Sequence, residues 1–90
     1  MAEQAHIYYN GRVQGVGFRF TADTLAGKFN IKGWVKNLSD GRVEIVAVGS
    51  RENLEKFLQE IYASFKSYIA DVDTQWSHPD KDFTDFQVKF

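Results

Sequence analysis

The sequence predicts an α+β fold in which two helices cover one face of a four- to five-stranded, mostly antiparallel sheet. Two segments carry apolar residues at the 3.6-residue spacing of an amphipathic helix. The segments around them are rich in β-forming residues and alternate between apolar and polar side chains. Because each helix has a single apolar stripe, both helices must bury that stripe against the sheet.

The first half of the chain predicts a strand, a helix and a hairpin. Residues 6–13 are rich in β-forming side chains, and residues 20–29 change to the helical period. The predicted helical stripe consists of Ala22, Leu25, Ala26 and Phe29. Asn30 follows and tolerates the left-handed conformation that ends many helices. Residues 31–38 and 42–49 flank a Ser-Asp-Gly turn and are therefore predicted to form a hairpin.

The second half predicts a longer helix and two more strands. Ser50 can cap the helix. Its apolar stripe is formed by Leu54, Phe57, Leu58, Ile61, Tyr62 and Phe65. Residues 67–76 and 83–90 are predicted strands, joined by a turn that contains the only proline. The order β-α-β-β-α-β with one extra strand is that of the ferredoxin-like, split βαβ sandwich. The order of strands within the sheet does not follow from the sequence.

Length and composition favour one small domain spanning residues 1–90. The absence of cysteine excludes a disulfide scaffold, a thiolate zinc site and a cysteine nucleophile. The net charge of −1 disfavours a nucleic-acid partner. No apolar run approaches the ~20 residues of a membrane span, and the N-terminal residues lack the features of a signal peptide. We therefore expect a cytoplasmic protein, monomeric, with no nucleic-acid or membrane partner.

The run from Gly11 to Arg19 (Gly-Arg-Val-Gln-Gly-Val-Gly-Phe-Arg) is the strongest functional signal in the chain. Gly15 and Gly17 allow backbone conformations that turn successive N–H groups inward, near the start of a helix. Arg19 adds a planar, permanently charged group that can bind two oxygens at once. These features suit a small oxyanion such as phosphate. The alternative is a tight strand-to-helix connection whose glycines only permit the turn.

Asn37 is a second candidate, near the end of a predicted strand and beside the hairpin turn. Its carboxamide both donates and accepts hydrogen bonds, so it can hold a water molecule in one orientation. The alternative is a turn asparagine that bonds its own backbone.

Other groups with possible chemistry have simpler explanations. Asp71 and Asp73 are spaced as in aspartyl-phosphate phosphatases, but Gln75 breaks that motif, and two exposed acids on a strand explain them better. His6 and His78 show no ligand spacing, so no metal site is expected. Several aromatic residues could form a stacking platform for single-stranded nucleic acid, or could be core and strand-pair residues. These residues are Trp34, Trp76, Tyr8, Tyr9 and Tyr68.

Two signatures in the sequence resemble those of the acylphosphatase family. The run from Gly11 to Arg19 resembles the loop signature of that family. The second signature of the family is similar to the run Gly33-Trp34-Val35-Lys36-Asn37, followed by Gly41-x-Val43 and Gly49. The resemblance includes the order of elements and covers nearly the whole chain. It departs from the family pattern at Tyr9, where a branched aliphatic residue is common, and at Asn30, where a glycine usually ends the helix.

This resemblance implies hydrolysis of acyl phosphates to a carboxylate and inorganic phosphate, without a metal or other cofactor. It also implies catalytic roles for two residues: Arg19 would bind the phosphoryl group and Asn37 would orient the attacking water. The substrate-binding residues that it implies, mainly through their backbone, are Gln14, Gly15, Val16, Gly17, Phe18 and Arg19. Inorganic phosphate is expected to be a product and a competitive inhibitor.

The chemistry of the residues agrees with this reaction. A carboxylate is a good leaving group, so phosphoryl transfer to water mainly needs positioning and charge stabilisation. Two other functions remain open at this point. One is a non-catalytic anion- or RNA-binding module on the same fold, and the other is a domain that resembles those acting in carbamoyl transfer within larger hydrogenase-maturation proteins.

Overall fold

The computed structural model describes residues 2–90 and confirms the α+β, ferredoxin-like fold. Its elements are β1 (Ala2–Gly11), α1 (Phe18–Lys28), β2 (Lys32–Asn37), β3 (Val43–Ser50), α2 (Arg51–Phe65), β4 (Ile69–Ser77) and β5 (Phe86–Lys89). The five strands form one sheet in the order β4-β1-β3-β2-β5. Only β2 and β5 pair in parallel, and the other neighbours are antiparallel. Both helices pack on the same face of this mixed sheet.

The core lies between that face and the helices. Ile7 on β1, Ile45 on β3 and Phe57 on α2 are fully buried, and burying each such side chain contributes about 1.5–3 kcal/mol. Tyr9 is also in this layer, with its ring 4.9 Å from that of Phe18. The predicted alternation of β1 is therefore confirmed where it meets the helices.

The predicted capping residue of α2 and the predicted left-handed residue after α1 are confirmed. The Asn53 backbone N–H donates to Ser50 Oγ at 3.2 Å, so Ser50 caps α2. Asn30 has a left-handed φ of 56° at the end of α1, and the Ile31 N–H then reaches back to the Ala26 carbonyl at 2.8 Å. Tyr62 differs from its prediction, because it lies at the edge of the α2 stripe and is 52% exposed.

Two element boundaries differ from those predicted in ways that affect the site. Helix α1 begins at Phe18 rather than at residue 20, because Gly17 in a left-handed conformation serves as its N-cap. Phe18 and Arg19 therefore belong to the first helical turn. Strand β5 covers only residues 86–89 rather than 83–90, since its sole partner, β2, pairs with it over four residues.

The five aromatic residues considered as a stacking platform do not share one surface. Tyr9 is buried on the helix face of the sheet, whereas Tyr8 and Trp34 lie on the opposite, open face. On that open face the His6 ring stacks on Tyr8, and His6 Nε2 lies 2.6 Å from Glu44 Oε2. Of the helices in the described residues 2–90, neither has the length and apolar character that crossing a membrane requires.

Candidate active site

The two candidate regions, the run from Gly11 to Arg19 and Asn37, lie at the same edge of the sheet. Strands β1 and β2 flank β3 and are both antiparallel to it, so their C-terminal ends lie at the same edge of the sheet, with the N-terminal end of β3 between them. Val43 is the register partner of both Tyr9 and Asn37. With strands about 4.8 Å apart, Asn37 lies roughly 10 Å from Tyr9, two residues before the end of β1. The segment that leaves β1, residues 12–17, is called the glycine loop below.

The glycine loop needs its glycines for their backbone conformation. Gly15 and Gly17 have φ values of 78° and 81°, and a Cβ at either position would meet nothing within 4 Å. Space therefore does not require glycine at these two positions, but the left-handed backbone does. Among the hydrogen bonds within residues 2–90, none is donated by the backbone N–H of Gly15, Val16 or Gly17. These donors lie at the positive end of the α1 dipole and are available to an anion.

The Gln14 side chain fixes this loop against the β2–β3 hairpin. Its Nε2 donates to the Leu38 carbonyl at 2.8 Å and to the Arg42 carbonyl at 3.0 Å. Leu38 directly follows Asn37 in the chain. The Gln14 carboxamide is thus occupied by the protein itself, so that only its backbone is free for the predicted contact with substrate.

Arg19 lies on the first turn of α1 and is held at the mouth of the site by the end of β5. Its Nη1 donates to the Lys89 carbonyl at 2.9 Å, and its guanidinium carbon lies 4.7 Å from the centre of the Phe90 ring. Within residues 2–90 one of the five guanidinium N–H groups donates a hydrogen bond, so the remaining donors can bind an oxyanion.

Asn37 presents an unsatisfied acceptor to the same site. Its Oδ1 is buried and has no hydrogen-bond partner within residues 2–90. It shares the helix face of β2 with Val35, which is fully buried, and therefore points toward α1. A buried acceptor without a partner costs about 1–3 kcal/mol, which is typical of a group reserved for a ligand or a bound water.

A cavity of about 360 Å³ joins these groups. Its walls are formed by Val13, Gly15, Gly17, Phe18, Arg19, Phe20, Asp23, Asn37, Val88 and Phe90. The structure therefore brings together five of the seven predicted site residues. The other two are Gln14, which ties the loop to the hairpin, and Val16, which packs against the core.

Sequence analysis missed several walls of the cavity. Phe20 and Asp23 lie one and four residues after Arg19 on α1, so helical periodicity places Asp23 on the face of Arg19. The sequence would therefore have indicated Asp23 if the helix had been predicted to begin at Phe18. Val88 and Phe90 come from the other end of the chain, and only the parallel pairing of β5 with β2 brings them to the site.

Charged and titratable groups elsewhere do not join this site. Asp71 and Asp73 are exposed on β4, as expected from the sequence. In the part of the chain that the structure describes, residues 2–90, no three His, Asp or Glu side chains cluster in a way that could hold a metal ion.

The fold and the cavity together define a class: a small ferredoxin-like domain whose first strand-to-helix loop offers donors to an oxyanion. Comparisons with known proteins narrow the class to one family. A family model described as Acylphosphatase matches residues 5–88. The chain is 40% identical to an acylphosphatase of Bacillus velezensis, over 97% of this chain and 98% of that protein. The chain belongs to the acylphosphatase family and is an enzyme of that family.

Solved structures agree with this assignment. The crystal structure of acylphosphatase from Bacillus subtilis is 37% identical, with a TM-score of 0.91 over 98% of this chain and 99% of that one. The chain also resembles one part of a longer protein, HypF from T. kodakarensis. There the identity is 32% and the TM-score 0.84, covering 97% of this chain but 12% of that chain.

Proposed function

We propose that this enzyme hydrolyses acyl phosphates by a metal-independent mechanism in which Arg19 binds the phosphoryl group and Asn37 orients the attacking water. The observation that carries the proposal is the buried, unpartnered Asn37 Oδ1 in the cavity that Arg19 and the glycine loop also line. Family membership supports the reaction. The residue roles are those that the family resemblance implies, and this arrangement supports them.

The phosphoryl oxygens would be bound by two kinds of donor. The free backbone N–H groups of Gly15 to Gly17 are fixed in advance by the loop conformation, and the Arg19 guanidinium can bind two oxygens at once. Such donors stabilise charge that develops on the oxygens during transfer. Loss of one preorganised donor typically lowers the rate by about 10²–10³-fold.

The water would attack phosphorus from the side of Asn37. Asn37 Oδ1 accepts a hydrogen bond from that water and thereby aims its lone pair at phosphorus. The new bond joins the water oxygen to phosphorus, and the bond between phosphorus and the carboxyl oxygen breaks. The products are a carboxylate, inorganic phosphate and a proton. Because the leaving carboxylate has a pKa near 4, it departs without a general acid.

The experiment compares hydrolysis of benzoyl phosphate by four variants in excess EDTA. Arg19→Ala is expected to lower kcat by about 10²–10³-fold and to weaken competitive inhibition by phosphate. Asn37→Ala is expected to lower kcat while phosphate inhibition persists. Matched controls are Arg51→Ala, on α2 and outside the cavity, and Asn10→Ala, near the end of β1; both should keep the wild-type rate.

Three results would contradict the proposal. The first is activity that appears only after a divalent metal is added. The second is wild-type kcat in both the Arg19 and the Asn37 variants. The third is equal loss of phosphate inhibition in both variants, because the two residues would then not have separate roles.

A further inference from the structure

The two most exposed of the large hydrophobic side chains in residues 2–90 both line the candidate active site. Phe20 is 78% exposed and Phe90 is 104% exposed, and each forms part of the cavity wall beside Arg19. The other large exposed side chains, such as Tyr62 on the outer side of α2, are 52% exposed or less. Adjacent exposed aromatic rings around a polar centre are typical of a surface that a ligand covers.

The cavity wall combines polar and apolar groups. Arg19, the glycine loop and Asn37 supply the polar groups, whereas Phe20, Val88 and Phe90 supply apolar walls. If Arg19 and the glycine loop bind the phosphoryl group, the acyl group bonded to it lies against the apolar walls that remain. Asp23 also lines the cavity, lies one turn beyond Arg19 on α1, and makes no recorded ion pair within the described residues.

Resting on the proposed hydrolysis of acyl phosphates, we propose that this site selects substrates whose acyl group is apolar and uncharged. Phe20 is the surface on which the acyl group lies, and the carboxylate of Asp23 disfavours acyl groups that carry a second negative charge. Stacking of an aromatic acyl group on Phe20 is worth roughly two- to tenfold in binding. Repulsion between Asp23 and a second carboxylate about 5 Å away changes binding by about fourfold in a water-like dielectric.

The test measures kcat and KM for three acyl phosphates: benzoyl phosphate, acetyl phosphate and succinyl phosphate. For the wild type, kcat/KM is expected to be highest for benzoyl phosphate and lowest for succinyl phosphate. Phe20→Ala is expected to raise KM for benzoyl phosphate about fivefold with kcat unchanged, and to change KM for acetyl phosphate less than twofold. Phe20→Leu, which keeps an apolar surface, should retain most of the preference.

Asp23→Asn tests the charge. It is expected to raise the ratio of kcat/KM for succinyl phosphate to kcat/KM for benzoyl phosphate about fourfold. The same change in this ratio should appear in the wild type at ~1 M salt, where exposed charges are screened within about 3 Å. Tyr62→Ala and Asp71→Asn are the matched controls, an exposed aromatic and an exposed acid that do not line the cavity. Neither should alter the preference.

The outcomes separate this inference from the function on which it rests. Equal kcat/KM for all three substrates, or an equal loss for all three in Phe20→Ala, overturns the inference and leaves acyl phosphate hydrolysis standing. No hydrolysis of any substrate overturns both. If Phe20→Ala changes the sedimentation coefficient but not the substrate preference, the exposed rings cover a second copy of the chain and the inference is wrong.

Discussion

Gln14 and Leu38 are joined by a hydrogen bond of 2.8 Å between the Gln14 side-chain amide and the Leu38 carbonyl. Leu38 directly follows Asn37, and the same amide nitrogen also donates to the Arg42 carbonyl at 3.0 Å on the far side of the hairpin. One side chain from the glycine loop therefore contacts both strands of the hairpin. The distance between the loop amides and the Asn37 carboxamide depends on this contact.

Gln14→Ala is expected to reduce turnover much more than stability. Both carbonyls keep a second donor, Gly41 N for Leu38 and Leu38 N for Arg42, so the expected loss of stability is about 1–2 kcal/mol. A shift of about 1 Å between loop and hairpin costs on the order of 10²-fold in rate. Steady-state kinetics measure the loss of turnover, and urea unfolding measures the loss of stability. Gln59→Ala, on the exposed side of α2, is the control and should change neither.

Glycine-to-alanine substitutions in two open positions should have opposite effects. At Gly17 the φ of 81° imposes about 1–2 kcal/mol of strain on a residue with a Cβ, and relief of that strain would turn the loop amides away. At Gly27, within α1, φ is ordinary and the space is equally open, so alanine should stabilise the helix by about 0.4–1 kcal/mol. Thermal unfolding measures the stability of each variant, and phosphate inhibition measures whether its loop still binds the anion. Equal effects at the two positions would show that the left-handed conformation of Gly17 is unimportant.

Tyr9 should make the protein sensitive to alkali. Burial raises the pKa of the Tyr9 phenol above its ordinary value of 10.0. Below pH ~10 both the folded and unfolded states keep the proton; above it the unfolded state ionises first, so stability falls as pH rises, by up to about 1.4 kcal/mol per pH unit. Tyr9→Phe should remove this slope in urea unfolding between about pH 10 and 12. Tyr62→Phe, at a half-exposed position, should leave it unchanged.

Asp40 should contribute to stability with the opposite dependence on pH. The Arg42 backbone N–H donates to Asp40 Oδ1 at 3.1 Å and Arg42 Nε donates to Oδ2 at 2.8 Å. These bonds lower the pKa of Asp40, so its contribution is present above the ordinary value of 3.8 and is lost as pH falls through the folded-state pKa. Asp40→Asn should therefore lose less stability on acidification than the wild type does. Ser39→Ala, an exposed change in the same turn that removes no carboxylate, should follow the wild-type acid profile.

The sequence predicted most of the elements because their patterns are local. The stripe containing Phe57 and Ile61, the Ser50 cap and the left-handed Asn30 each depend on neighbouring residues, and each is found in the structure. The start of α1 was missed because its N-cap is Gly17, without the side-chain hydrogen bond that usually marks a helix start. The order of strands could not be predicted, since alternation tells which face a side chain takes but not which strand lies beside it.

The candidate site likewise contains residues that the sequence predicted and residues that it did not. Arg19 and the glycines were found because they form one continuous run, and Asn37 was found from its carboxamide at the end of a predicted strand, with its role implied by the family resemblance. Phe90 could not be found, because its place beside Arg19 results from the parallel pairing of two strands far apart in the chain. The role of the Gln14 side chain could not be predicted either, since no sequence pattern indicates that it bonds to a hairpin 24 residues away.

Because both flanking strands pair with Val43, an assembled site requires that the three central strands are correctly aligned. Successive side chains on a strand point to opposite faces, so a slip of β2 by one residue would send Asn37 to the open face and bring Lys36 or Leu38 into its place. A slip of β3 against β1 would move the hairpin away from Gln14. Recovery of turnover during refolding therefore reports that the central three strands have reached their native alignment, a property that helix content measured by circular dichroism does not detect.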